Sequence, residues 1–450
     1  MTRRTSGRRR PVSGRGMSRR DFLRVTGAGV GSAYVLSACG GFGGGDEAGG
    51  GGDSDTLTFT HGPDDSGSIK ALLDEFNRTN SSGLKVNWLE QPADTGAYFD
   101  KLRTQFQAGS SSIDVISGDV IWPAQFAANG WIEPLDELIS EDVKSALLPG
   151  VVESNTYEGT LYGIGWFTDA GMLYYRKDLL DEASVDVPSS WEDLQGAGDE
   201  VVGKTGTKFG FLFQGAQYEG GVCDGCEFIW THGGNVLDPE DSTVVLVDSP
   251  EAIEGLSTAR GLIEAGVAPD DVVNYQEQQT HETFLAGDAV FARNWPYMYG
   301  LAADKSISNI KSSQIGVVAL PAAEGASTAG ALGGWNLFIN ANSEKKEQAV
   351  ELIEFLASEE SQKKKTLKGS FLPTVSSLYD DSEVTDAVPV VALGKEALEN
   401  ARPRPVSPYY SDISLAMQER FNQIFKGEVS SEEGTATLKG EIEDIIAQGA

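Results

Sequence analysis

Cysteine and histidine are scarce in this 450-residue chain, with three of each. A closed zinc site needs four such ligands gathered together. His61, His232 and His281 are scattered, and the only close cysteine pair is Cys223 and Cys226. No metal and no cofactor are therefore expected. Basic charge is also short: 35 Lys and Arg stand against 67 Asp and Glu, for a net charge of −32. What there is collects at the front, where residues 1–38 hold nine arginines and one acid, Asp21, leaving −40 on the remainder. A body so acidic cannot bind nucleic acid by releasing phosphate counterions; its charge favours solubility and self-repulsion, and a monomer is expected. Long apolar runs are missing as well. The stretch Val25–Ala38 is too short and too glycine-rich for an ordinary spanning helix, which needs about 20 apolar residues.

The basic front reads as an address. Ser18-Arg19-Arg20-Asp21-Phe22-Leu23 resembles the twin-arginine export motif, and Leu36-Ser37-Ala38-Cys39-Gly40 resembles a bacterial lipobox. That resemblance implies a signal over 1–38 and lipidation of Cys39, which would anchor the exported chain to the outer face of the cytoplasmic membrane; the start codon is Met1 or Met17. The glycine-rich segment 39–55 has almost nothing to bury and reads as a flexible tether. No strand precedes its glycines, which argues against a dinucleotide loop. Outside the cytoplasm a disulfide persists, so Cys223 and Cys226 are a disulfide candidate, with free thiols and redox or metal chemistry as alternatives.

From Thr56 onward strands and helices alternate. LTFT at 57–60, LKVNWLE at 84–90 and IDVIS at 113–117 read as strands. Between them lie apolar helical stripes: Ile69, Leu72, Leu73 and Phe76, then Phe99, Leu102 and Phe106. This order predicts an α/β fold with a mainly parallel sheet, in which ligands sit beyond the carboxyl ends of strands. Further along, Ser189 to Glu192 matches a capping box. Ser249-Pro250 opens a helix that stops at Gly266, GWNLFIN at 334–340 is another strand, and the following helix turns Ala349, Leu352, Ile353 and Leu356 inward. A last amphipathic segment covers Ile413 to Phe425.

At probable strand ends the chain repeatedly places acids or arginine beside aromatics: Asp119 with Trp122; Trp166, Phe167 and Asp169; Trp295 with Tyr297; Gly333-Gly334-Trp335; Arg404 with Tyr409 and Tyr410. Sugars suit such sets, because flat C–H faces stack on rings while hydroxyls pair with charged groups. A double glycine lets backbone approach a ligand.

Five blocks, GDVIWPAQFAANGWIEPLD, LYGIGWFTDAGMLYYRKDLL, FARNWPYMYG, GALGGWNLFI and RPVSPYYSDIS, together resemble the extracellular sugar-binding lipoproteins of bacterial ABC importers, especially the trehalose/maltose-binding group. The resemblance runs from about residue 55 to the end. It implies the two-lobe type II fold of periplasmic binding proteins, with a hinge between the lobes. The segments expected are 56–165 plus 329–372 for lobe 1, and 166–328 plus 373–450 for lobe 2. It also implies a permease partner. By motif, Asp119 and Asp169 hold hydroxyls, Trp295 is the stacking platform with Tyr297 beside it, Gly333, Gly334 and Trp335 approach the sugar, and Arg404 donates from the second lobe. Three positions depart from the relatives: Asp65 replaces a glutamate, Tyr98 an arginine and Phe167 a tyrosine. Trp122 lines the cleft or closes its floor.

Two other classes compete. A glycoside hydrolase would need two carboxyls flanking one bond, about 5 to 9.5 Å apart, and no local acid–base signature is visible. A receptor for a peptide, polyamine or metal is the other; scattered histidines disfavour transition metals.

Overall fold

The computed structural model describes residues 55–449, so the export motif, the lipobox cysteine Cys39 and nearly all of the tether lie outside the described residues. Among the described residues twelve strands form, in chain order β1 (Thr56–His61), β2 (Lys85–Glu90), β3 (Val115–Asp119), β4 (Thr156–Tyr157), β5 (Thr160–Leu161), β6 (Ile164–Ala170), β7 (Met172–Arg176), β8 (Phe209–Leu212), β9 (Ala289–Asn294), β10 (Ile315–Val318), β11 (Gly330–Ile339) and β12 (Ala401–Arg402). The first sheet runs β12-β11-β3-β1-β2, with β6 also paired to β11. Its β1, β2 and β3 are mutually parallel, as the alternating order predicts, whereas β11 runs antiparallel to both β3 and β6. The second sheet runs β10-β7-β9-β8.

The helical stripes are buried as expected. Helix Ser68–Thr79 buries Ile69, Leu72, Leu73 and Phe76, and helix Lys346–Ala357 buries Ala349, Leu352, Ile353 and Leu356. Each such side chain contributes about 1.5–3 kcal/mol relative to exposure. Helix Pro250–Glu264 starts at Ser249, whose hydroxyl accepts from the Ala252 N–H, and the chain turns away at Gly266 with φ +76°. The capping box sits one residue later than expected: Ser190 and Asp193 exchange side-chain and backbone bonds at the start of helix Trp191–Thr205. Strand β3 is likewise displaced by two residues, so Asp119 is its last residue rather than a loop residue beyond it.

The chain passes between the sheets at Gly171, the single residue separating β6 from β7. A Cβ there would lie 1.8 Å from Glu227 Oε1, so only glycine fits. It returns between β10 and β11, and passes again near β12. Val384, Val388, Val390 and Val391 pack in the core cluster that contains β1 and also takes in Met172 and Tyr174 of β7. A second cluster gathers around β9, with Phe211, Phe213, Phe228 and Phe291.

Candidate ligand cleft

Strand β11 builds the site. Trp335 lies opposite Asp119 of β3 on one flank and Phe167 of β6 on the other, and Gly333 lies opposite Asp169. Three of the blocks read separately in the sequence are thus hydrogen-bonded neighbours. Asp65, Asp119, Phe167, Asp169, Trp295, Tyr297, Gly333, Gly334, Trp335 and Arg404 all line one cavity of about 350 Å³. The glycines do more than admit a ligand. A Cβ on Gly333 would lie 2.9 Å from Trp295 Cζ3, and Gly334 has φ +123° with its Cβ position 2.5 Å from the Phe167 carbonyl. Glycine therefore lets the indole and the neighbouring strand close on β11.

Two expected contacts fall elsewhere. Tyr98 is wholly buried, its hydroxyl donating to the Ser117 carbonyl at 2.9 Å, and Trp122 is also buried; both belong to a core cluster with Phe99, Leu102 and Phe126. Tyr98 lies on the same stripe of helix Thr95–Gln107 as Phe99 and Leu102, so the helix that buries them buries it too. Both rings still bear on the cleft indirectly. Tyr98 stacks on Trp335 at 6.0 Å and Trp122 meets it edge-on at 5.9 Å, so they back a ring that does line the cavity.

The cysteine expectation is also corrected. Cys223 and Cys226 are free and buried. One uninterrupted helix, Glu219–Trp230, runs through both and packs each thiol into the second core. Burial pushes both thiols above their ordinary pKa, so thiolate chemistry is suppressed.

Charge in the cleft is arranged around Arg404. Its Nη2 donates to Asp119 Oδ1 at 2.9 Å and its Nη1 to Glu219 Oε1 at 2.7 Å, joining the first sheet to the opposite wall. Burial alone would lower the guanidinium's pKa, but the negative groups around it, Asp119 foremost and Glu219 among them, together more than reverse this. Glu219 also accepts from the Tyr410 and Ser414 hydroxyls; burial raises its pKa in spite of Arg404.

Asp169 has no comparable partner. Its Oδ1 is buried without a hydrogen bond among the described residues, and desolvation pushes its pKa from 3.8 up to about 8, with Lys365 and Arg293 pulling the other way. Behind Phe167 sits Lys365, buried, its ammonium 3.1 Å from the Phe167 centroid and 4.0 Å from that of Phe371. Burial holds Lys365 well below the ordinary lysine range. His61 is likewise kept neutral by burial, then by Lys365, and its Nδ1 pairs with Ser117 Oγ at 2.9 Å.

The opposite wall was missed by the sequence reading. Tyr218, Glu219, Gln276, Glu277 and His281 line it. Trp295 Nε1 donates to Glu277 Oε1 at 3.3 Å, Tyr218 OH donates to Glu277 Oε2 at 2.8 Å, and His281 Nδ1 pairs with Tyr297 OH at 3.0 Å. The only local signal of the first four was position at helix starts, which polar residues occupy for capping reasons anywhere in a protein; His281 lies inside helix Glu277–Leu285. A larger cavity of about 540 Å³ lies across β6 and β11, sharing Phe167 and Gly333 with the cleft. Its walls are mainly apolar, with Leu148, Val151, Leu332 and Leu398. Converging polar groups make the smaller cavity the candidate binding site.

Among the described residues no group of three or more His, Cys, Asp and Glu could hold a metal ion, and no helix is long and apolar enough to cross a membrane. The chain is 33% identical over 377 residues to a probable ABC transporter-binding protein of Deinococcus radiodurans, covering 82% of this chain and 88% of that one. Among solved structures it resembles maltose-bound T. maritima MalE3, at 34% identity and TM-score 0.82, covering 87% of this chain and 99% of that one. It also resembles an ABC transporter solute-binding protein of Thermotoga lettingae bound with α-D-tagatose, at 26% identity and TM-score 0.77, over 87% of this chain and 99% of that one. These likenesses bear out the two-lobe α/β architecture. With residues 62–363 matching its family profile, the chain belongs to the bacterial extracellular solute-binding proteins.

Proposed function

We propose that this protein captures a disaccharide or short oligosaccharide, of maltose or trehalose type, for a bacterial ABC importer. One observation carries the reading: a single cavity sets the Trp295 indole against the Asp119 and Asp169 carboxyls and the Arg404 guanidinium. A pyranose has a flat C–H face for the ring and hydroxyls in pairs for the charged groups. The maltose and the α-D-tagatose held by two of the similar structures support a sugar as the solute.

Binding is coupled to closure. A ligand that touches both walls binds the closed form more tightly than the open one, and only that difference moves the equilibrium. The β6–β7 passage at Gly171 supplies a short connection about which the lobes turn. Closure then offers the permease a distinct surface, and the chain itself performs no turnover. Cys39, lipidated, anchors the exported chain to the outer face of the cytoplasmic membrane.

Calorimetric titration of the mature protein with maltose, trehalose, sucrose and a monosaccharide panel tests this. One sugar is expected to bind at micromolar affinity or tighter. Silence across the whole panel would sink the sugar assignment, and release of reducing sugar during titration would point to a hydrolase instead.

A further inference from the structure

Two carboxylates on the second wall of the cleft share a construction. Glu219 and Glu277 are each the first residue of a helix, Glu219–Trp230 and Glu277–Leu285. Unpaired N–H groups and the helix dipole favour negative charge at that place. Each accepts a hydrogen bond from a tyrosine hydroxyl, Tyr410 for Glu219 and Tyr218 for Glu277. Each then grips the edge of a cleft-facing group: Arg404 for Glu219, and the Trp295 indole N–H for Glu277. The fit around Glu277 is close, since a Cβ on Gly220 would lie 2.2 Å from the Tyr218 hydroxyl oxygen and 2.7 Å from Glu277 Oε1.

Trp295 is constrained on a second side. The Arg293 guanidinium lies 4.0 Å from the indole centroid and is itself held by Glu227, through Nε at 2.7 Å and Nη2 at 2.5 Å. Arg293 thus supports the face of the ring, while the N–H edge depends on Glu277 alone among the described residues.

We infer that Glu277 is a positioning residue that fixes the orientation of the Trp295 platform before ligand arrives. The inference rests on the sugar-binding reading above. A ring held in its bound rotamer loses no further freedom on binding, and one immobilised side chain corresponds to about two- to tenfold in affinity. Glu277 acts through the indole hydrogen bond rather than by touching the sugar.

The test compares maltose titrations and indole emission for the wild type, Glu277→Ala, Glu277→Gln, Trp295→Phe and the Glu277→Ala/Trp295→Phe double variant. Gln keeps an acceptor oxygen for the indole, so Glu277→Gln is expected to stay within about twofold of wild type, whereas Glu277→Ala loses about two- to tenfold. Phe has no N–H, so Glu277→Ala adds no loss in the Trp295→Phe background. Equal losses in both backgrounds would show direct contact with sugar and overturn the inference, as would no loss in Glu277→Ala. The Trp295 contribution to emission, taken as the difference from Trp295→Phe, is expected to shift in Glu277→Ala without any sugar present. An unchanged spectrum overturns the positioning role even if maltose does not bind. A shift without maltose binding upholds the positioning role and counts against the sugar reading alone.

Discussion

Within the cleft, Asp169 is a buried carboxyl whose Oδ1 lacks a hydrogen-bond partner among the described residues. Its folded-state pKa of about 8 stands above the 3.8 of an exposed aspartate. The native state therefore keeps a proton that the unfolded state has lost, and stability falls as pH rises wherever the native state binds more protons. The contribution is full below about pH 4 and is lost by about pH 8. Asp169→Asn removes the titrating group, so the decline of Tm between pH 4 and pH 8 should become shallower; an unaltered profile would mean the carboxyl is hydrated. A second expectation concerns the thiols. Cys223 and Cys226 should react with a thiol reagent only after denaturation, and Tm should be the same with and without reductant, since no bond joins them. A Tm that drops on adding reductant would reinstate the disulfide.

At the scale of elements, the one-sided helices give the clearest stability predictions. Leu352 is fully buried in helix Lys346–Ala357 between the flanking side chains of the first core. Leu352→Ala should cost about 2–5 kcal/mol in urea unfolding, by lost transfer energy plus the cavity left behind. Loss of a single cap is smaller: Ser249→Ala should cost about 1 kcal/mol, and an effect near that of Leu352→Ala would show that Ser249 has a tertiary role. Helices with a buried stripe were legible because their apolar residues recur at the helical period. Helix Glu219–Trp230 was not, since every residue in it is buried and no polar face remains to reveal the period. Strand β11 was recognised only in its second half, because its opening Gly-Ala-Leu-Gly has too few branched or aromatic residues to read as a strand.

For the whole molecule, Arg404 is the connection on which the cleft depends. Only 3% exposed, its side chain joins Asp119 at the end of β3 to Glu219 on the opposite wall. Arg404→Leu leaves two buried carboxyls without their counterion and should cost about 3–5 kcal/mol by chemical denaturation. A negligible change would mean that water takes over both partners. The sequence by itself determined the α/β alternation, the inward faces of its amphipathic helices and the residue types that converge on the cleft. Periodicity and motif are local, so they survive without coordinates. Only the tertiary structure decided which of those residues meet. It set Trp335 between Asp119 and Phe167 through strand register, withdrew Tyr98 and Trp122 into the core behind it, and brought Glu219, Glu277 and His281 to the wall. Contacts of that kind join positions far apart in the chain, and what selects them is the pairing of strands and the burial of whole helix faces, neither of which is written in any single segment.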